Sequence, residues 1–154
     1  MTTQIISPTA LRVERKFKAS RERLFQALTN PAALEKWFAI GEGFTTPIAE
    51  VDLRTGGRYR LGMQPPDGTP VLIVGGVYQL IQPPDKLIFT WAWEAAGRDE
   101  PETLVTIELF DLGDETRVIL THEQFLTPAA RDQHGEGWQG CFNRLAMAIE
   151  NEEV

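Results

Sequence analysis

The sequence is poor in sulfur and imidazole: its 154 residues include one cysteine, Cys141, and two histidines, His122 and His134. A lone thiol excludes an internal disulfide and every multi-cysteine metal site. The two histidines lack the i, i+4 spacing of a metal-binding helix, so with Glu123 and Glu136 nearby they read as structural or surface groups. No metal and no cofactor is expected, because there is neither a Walker-type phosphate loop nor a glycine-rich dinucleotide fingerprint after a strand. Positive charge is also scarce. Fifteen Lys and Arg face 22 Asp and Glu, with no basic cluster, which argues against nucleic acid or an anionic membrane as partner. No apolar run approaches the ~18 residues of a spanning helix. The start, MTTQIISPTALRVERK, has no basic segment leading into a long apolar one, so no signal peptide is expected and the cytoplasm is the expected location.

What is present is a clear change of hydrophobic period along the chain. ALRVERKF sets Leu11, Val13 and Phe17 against Arg12, Glu14 and Lys16, a half-buried strand. Ser20 then caps a helix carrying Leu24, Phe25 and Leu28, and Asn30-Pro31 starts a second one carrying Leu34, Trp37 and Phe38. From Thr46 the period is two. Ala49, Val51 and Leu53 form one apolar face; Tyr59, Leu61 and Met63 form the next. A strand over Val71 to Ile81 is interrupted by Gly75-Gly76, where a bulge or bend is expected. Leu87, Phe89, Trp91 and Trp93 share a face, followed by Val105, Ile107 and Leu109, then Val118, Leu120 and His122. Short turns join these six strands, which favours an antiparallel meander.

Thr127-Pro128 opens a last helix to about Glu150, with Trp138, Phe142, Leu145 and Ile149 on one stripe. Within it, HGEGWQGCFNRL holds Gly135, Gly137 and Gly140, each of which weakens a helix by roughly 0.5–1 kcal/mol relative to alanine. They either let the helix lie close to its neighbours or leave a mouth beside Trp138. Cys141 falls inside the apolar pattern and reads as a small buried hydrophobe. The order of strand, two short helices, six strands and one long helix makes an α+β domain, and no linker or repeat divides it.

This order has a geometric consequence. A helix is about 10 Å wide, whereas seven strands at roughly 4.8 Å spacing are far wider. One long helix and two short ones cannot roof the apolar face of such a sheet, so side chains or a bound molecule fill the remainder. The residues expected around that space are Trp37 from the second helix and Tyr59, Leu61 and Met63 from the third strand. Phe89, Trp91 and Trp93 follow, then Val105, Ile107 and His122, and finally His134, Trp138 and Phe142 from the last helix. A packed aromatic core and a partly open small-molecule pocket both fit this set. If the domain is an enzyme, His122 is the candidate acid or base, with Tyr59 as a hydrogen-bond donor.

Several stretches resemble one family. KASRERLFQALTNPAALEKWF, VDLRTGGRYRLGM, the pair LIFTWAWE and TRVILTHEQF, and HGEGWQGCFNRL with its Gly137-Trp138 pair occur in the order seen in the START-like (SRPBCC, Bet v 1-like) superfamily. They are most similar to the branch named after the activator of Hsp90 ATPase. The resemblance implies a helix-grip fold, in which a curved antiparallel sheet of about seven strands holds the C-terminal helix over a cavity for apolar ligands. Three roles follow from it: a small-molecule binding protein, a cyclase or hydratase using the same cavity, or a partner of an Hsp90-type chaperone. A monomer or a homodimer is compatible with each.

Overall fold

The computed structural model describes residues 1–94 and 101–154. Its elements are β1 (Thr2–Ser7), β2 (Ala10–Phe17), α1 (Arg21–Thr29), α2 (Pro31–Trp37), β3 (Thr45–Val51), β4 (Arg58–Gln64), β5 (Leu72–Gln82), β6 (Lys86–Glu94), β7 (Thr103–Asp111), β8 (Thr116–Glu123) and α3 (Pro128–Glu150). The strands form one antiparallel sheet in the order β1-β2-β8-β7-β6-β5-β4-β3. Six consecutive strands make the expected meander, and β2 joins it beside β8. The helix-grip architecture follows, with eight strands instead of seven and the short helices after the second. The additional strand, β1, lies at an edge and pairs with β2 alone. Its side chains are almost all exposed, Ile5 at 63%, so it carries no apolar period to read.

Local chemistry sets the helix starts. The side chains of Ser20, Asn30 and Thr127 accept the amides of Arg23, Ala32 and Ala130 at 3.1, 2.9 and 3.1 Å. Pro31 and Pro128 occupy first turns, where no amide is needed. In α3 the Trp138, Phe142, Leu145 and Ile149 stripe is buried as its spacing predicts. Among the described residues, no helix is long and apolar enough to cross a membrane.

Register aligns the inward faces across the sheet. Leu11 pairs with His122, His122 with Val105, Val105 with Phe89, and Phe89 with Tyr78. This row is buried throughout. Two local expectations are corrected. Strand β3 ends at Val51, and Leu53 is exposed in the following turn. The register shift in β5 falls between Tyr78 and Leu80, not at Gly75-Gly76. Gly76 serves close approach instead: a Cβ there would lie 2.0 Å from the Thr90 carbonyl oxygen on β6.

The three glycines of α3 have separate environments. A Cβ on Gly140 would lie 2.0 Å from the Ile40 carbonyl oxygen, so this residue admits the backbone leaving α2. Arg144 holds the same segment, donating to the carbonyls of Trp37 at 3.3 Å and Gly41 at 3.1 Å. Gly135 faces Leu11 and Thr3 at ordinary contact distance, and Gly137 faces the Ile40 side chain. Close approach of the neighbouring backbone is therefore the role of Gly140.

Candidate functional site

Between the N-terminal half of α3 and the β4–β6 part of the sheet lies a cavity of about 200 Å³. Met63, Leu72, Trp91 and Trp93 form its sheet side, and His134, Gly137, Trp138 and Cys141 form its helix side. Phe38 and Ile40 close the end nearest α2. Ile40 and Gln133 are exposed and form the rim. Gly140 and Arg144 pin the Ile40 segment, and thereby position this rim.

The residues expected around the cavity divide into three groups. Met63, Trp91, Trp93, His134 and Trp138 line it. Trp37, Tyr59, Leu61, Phe89 and Ile107 surround a second void of only about 30 Å³, separated from the first by Phe38, Trp91 and Trp138. That void is about the share of one water. It is small because the rings of Tyr59, Tyr78 and Phe89 pack with centroids 5.3–6.0 Å apart. Val105, His122 and Phe142 are buried and line neither space. A packed core and an open pocket thus coexist in adjacent halves of the interior. Phe38, Ile40, Leu72, Gln133, Gly137 and Cys141 belong to the larger wall without having been expected there. Phe38 and Cys141 lie on predicted apolar stripes, whereas Ile40 sits in a loop that carries no periodic signal.

The two histidines are joined to tryptophans. The Trp138 indole donates to His122 Nδ1 at 3.0 Å. Because an indole only donates, Nδ1 accepts, and the ring proton sits on Nε2. His122 Nε2 then donates to Thr103 Oγ1 at 2.7 Å, which donates to the Trp91 carbonyl at 3.1 Å. His134 has the opposite tautomer: its Nδ1 donates to Ala130 O at 2.7 Å while Nε2 accepts the Trp93 indole at 2.9 Å. The Tyr59 hydroxyl is engaged too, donating to Thr90 O at 2.6 Å.

His122 is 0% exposed, in the middle of an apolar row and behind Trp138. Burial, aided by nearby His134, holds its pKa well below the usual histidine value, so the ring is neutral. Burial likewise pushes the Cys141 thiol up to about 12, which makes it an uncharged part of the wall. The depressed His122 pKa links stability to pH. The unfolded chain takes up a proton below about pH 6.5, the folded chain only at lower pH. Stability is therefore complete above pH 6.5 and is lost as pH falls toward the folded value, by at most about 1.4 kcal/mol per unit. Urea midpoints between pH 7.5 and 5 are expected to show this slope in the wild type and to lose part of it in His122→Phe.

Of the four tryptophan indoles, three have acceptors: Trp93, Trp138 and Trp37, the last donating to Ala27 O at 2.7 Å. Trp91 Nε1 is buried and has no partner among the described residues. No group of three His, Cys, Asp or Glu side chains able to hold a metal occurs among those residues.

A long helix held by a curved antiparallel sheet, with two short helices after the second strand and a hollow under the helix, agrees with a known family. Residues 18–150 match the profile described as Activator of Hsp90 ATPase homolog 1-like protein. The chain belongs to this family. Solved relatives of the same fold include protein CV1439 from Chromobacterium violaceum, 28% identical, with a TM-score of 0.83 over 94% of this chain and 99% of that one. A Rhodobacter sphaeroides protein is 27% identical, with a TM-score of 0.81 over 97% and 98% of the two chains. An HSP90 activator from Plasmodium falciparum shares the fold at 21% identity, with a TM-score of 0.71 over 92% and 96%. No curated protein matches the chain in sequence. Family membership accounts for the architecture.

Proposed function

We propose that this member of the family binds a small apolar molecule between its sheet and its C-terminal helix. The cavity of about 200 Å³ carries the reading: its wall is aromatic and aliphatic, and its rim is exposed. An apolar hollow of even ~150 Å³ is known to stay dry and to take up benzene-sized guests. Met63, Trp91, Trp93, His134 and Trp138 are the proposed contacts. The test is binding of the neutral probe N-phenyl-1-naphthylamine, read by fluorescence, alongside native mass spectrometry of the purified protein. A saturable signal, or a retained small-molecule adduct, is the expected result. The absence of both would remove the reading.

A partnership with an Hsp90-type chaperone is the second reading, supported by the family description and by the Plasmodium protein of like fold. On the outer face of the sheet, where Arg58 and Arg60 stand with Glu50 and Asp52, Arg60 contacts Glu94 at 2.7 Å and Glu50 at 3.4 Å, and Asp52 contacts Arg54 at 2.9 Å. Such exposed pairs contribute little on their own. Stimulation of a chaperone ATPase by the purified protein would support this role, and a clean lack of association would discard it. A cyclase or hydratase with His122 as acid or base has less support. Both nitrogens of that ring are engaged, and moving its proton would break the contact to Thr103 or Trp138.

A further inference from the structure

We infer that the cavity takes an uncharged compound of one or two rings bearing a hydrogen-bond acceptor, and that the acceptor meets the indole N–H of Trp91. This deepens the ligand-binding reading above and rests on it. Three observations converge.

The first is size. About 200 Å³ is somewhat larger than a hollow that holds benzene and smaller than the ~300–1,000 Å³ of drug-sized sites. A fused bicycle fits this range, whereas a long acyl chain does not.

The second is charge. Among the described residues the wall contains no Asp, Glu, Lys or Arg. A carboxylate carried inside would lose its water and gain no counter-ion, which is strongly unfavourable.

The third is the unpaired donor. Trp93 and Trp138 flank Trp91 in the wall, and each gives its N–H to a histidine. Trp91 is 5% exposed and its Nε1 has no acceptor among the described residues, in a structure that pairs the other three indoles. A buried donor left unpaired is costly, and an incoming acceptor removes that cost. The nitrogen itself is covered in the structure, so the inferred contact includes a turn of the indole toward the guest. The ring borders the main cavity and two further voids of about 30 Å³ each.

The test compares matched compounds competing with prodan, a neutral fluorophore of two fused rings: 1-tetralone, its hydrocarbon counterpart tetralin, 1-naphthoate and palmitate. Tetralone is expected to bind roughly tenfold tighter than tetralin, which corresponds to about 1.4 kcal/mol for one hydrogen bond. Naphthoate and palmitate are expected to compete at least tenfold more weakly than tetralone. The indole N–H resonance of Trp91, assigned by its loss in Trp91→Phe, should shift with tetralone and not with tetralin. In Trp91→Phe the tetralone-to-tetralin ratio should fall to near one. Equal affinities of tetralone and tetralin in the wild-type protein, or tighter binding of palmitate or naphthoate, would overturn this inference while leaving the ligand-binding reading intact. Failure of every probe, including prodan, would overturn both.

Discussion

Trp138→Ala is expected to lower the unfolding free energy by about 3–5 kcal/mol, the usual range for deleting a buried large aromatic side chain. Trp138 is 5% exposed, and its ring lies 5.0 Å from that of Trp91 and 6.1 Å from that of Phe142. The deletion also strips the donor from His122 Nδ1, leaving an unpaired acceptor inside the sheet row. Trp138→Phe keeps a six-membered aromatic ring but removes the N–H together with the rest of the five-membered ring, so its cost, expected to be at least about 1–3 kcal/mol, combines the lost hydrogen bond with some lost packing. Urea titrations followed by circular dichroism measure both. A loss well under 3 kcal/mol for Trp138→Ala, with probe binding abolished, would mean that the ring serves the cavity wall more than the packed core.

The second large effect concerns two glycines one helical turn apart, whose substitutions are expected to act in opposite directions. In Gly140→Ala the new methyl would sit 2.0 Å from the Ile40 carbonyl oxygen and 2.8 Å from its carbonyl carbon. These are backbone atoms, and Arg144 ties down the segment on either side of them. Something must shift, at a cost of about 1–3 kcal/mol or more, which outweighs the 0.5–1 kcal/mol that alanine ordinarily contributes inside a helix. In Gly137→Ala the nearest atom is Ile40 Cγ2 at 3.6 Å, an ordinary contact. There the helix preference prevails, and stabilisation of about 0.5–1 kcal/mol is expected. The added methyl narrows the cavity at its rim, so probe affinity should fall although the protein becomes more stable. Thermal melts of the two variants decide the matter: changes of the same sign would contradict the contact geometry.

Much of the fold can be read from local patterns. The helix starts at Ser20, Asn30 and Thr127 are visible because a cap is satisfied by residues two or three positions away. Much of the meander is visible because strands such as β7 and β8 bury one face, and alternate burial imposes a period of two. Strand β1 is invisible for the same reason, since an exposed edge imposes no period. The bulge near Tyr78 was displaced from the expected glycine pair because two demands can call for glycine, a bend or a close neighbour, and the chain alone does not separate them.

The candidate site divides along a similar line. Periodicity identifies which side chains face inward, Met63, Trp91, Trp93, His134 and Trp138 among them. It does not say how inward residues share the space. His122 and Trp93 stand on inward faces alike, but one is sealed beneath Trp138 while the other borders the hollow.

Burial parity, capping and turn chemistry depend on neighbours a few positions away, so the order of residues was enough to specify the three helices and every strand but β1, while the helix-grip arrangement was implied by the family resemblance. The location of the void, the tautomers of the two histidines and the unpaired N–H of Trp91 depend on contacts between residues far apart in the chain. Those were settled only when α3, the Ile40 segment and β6 came together, because packing volume and hydrogen-bond pairing belong to the assembled interior and not to any one segment.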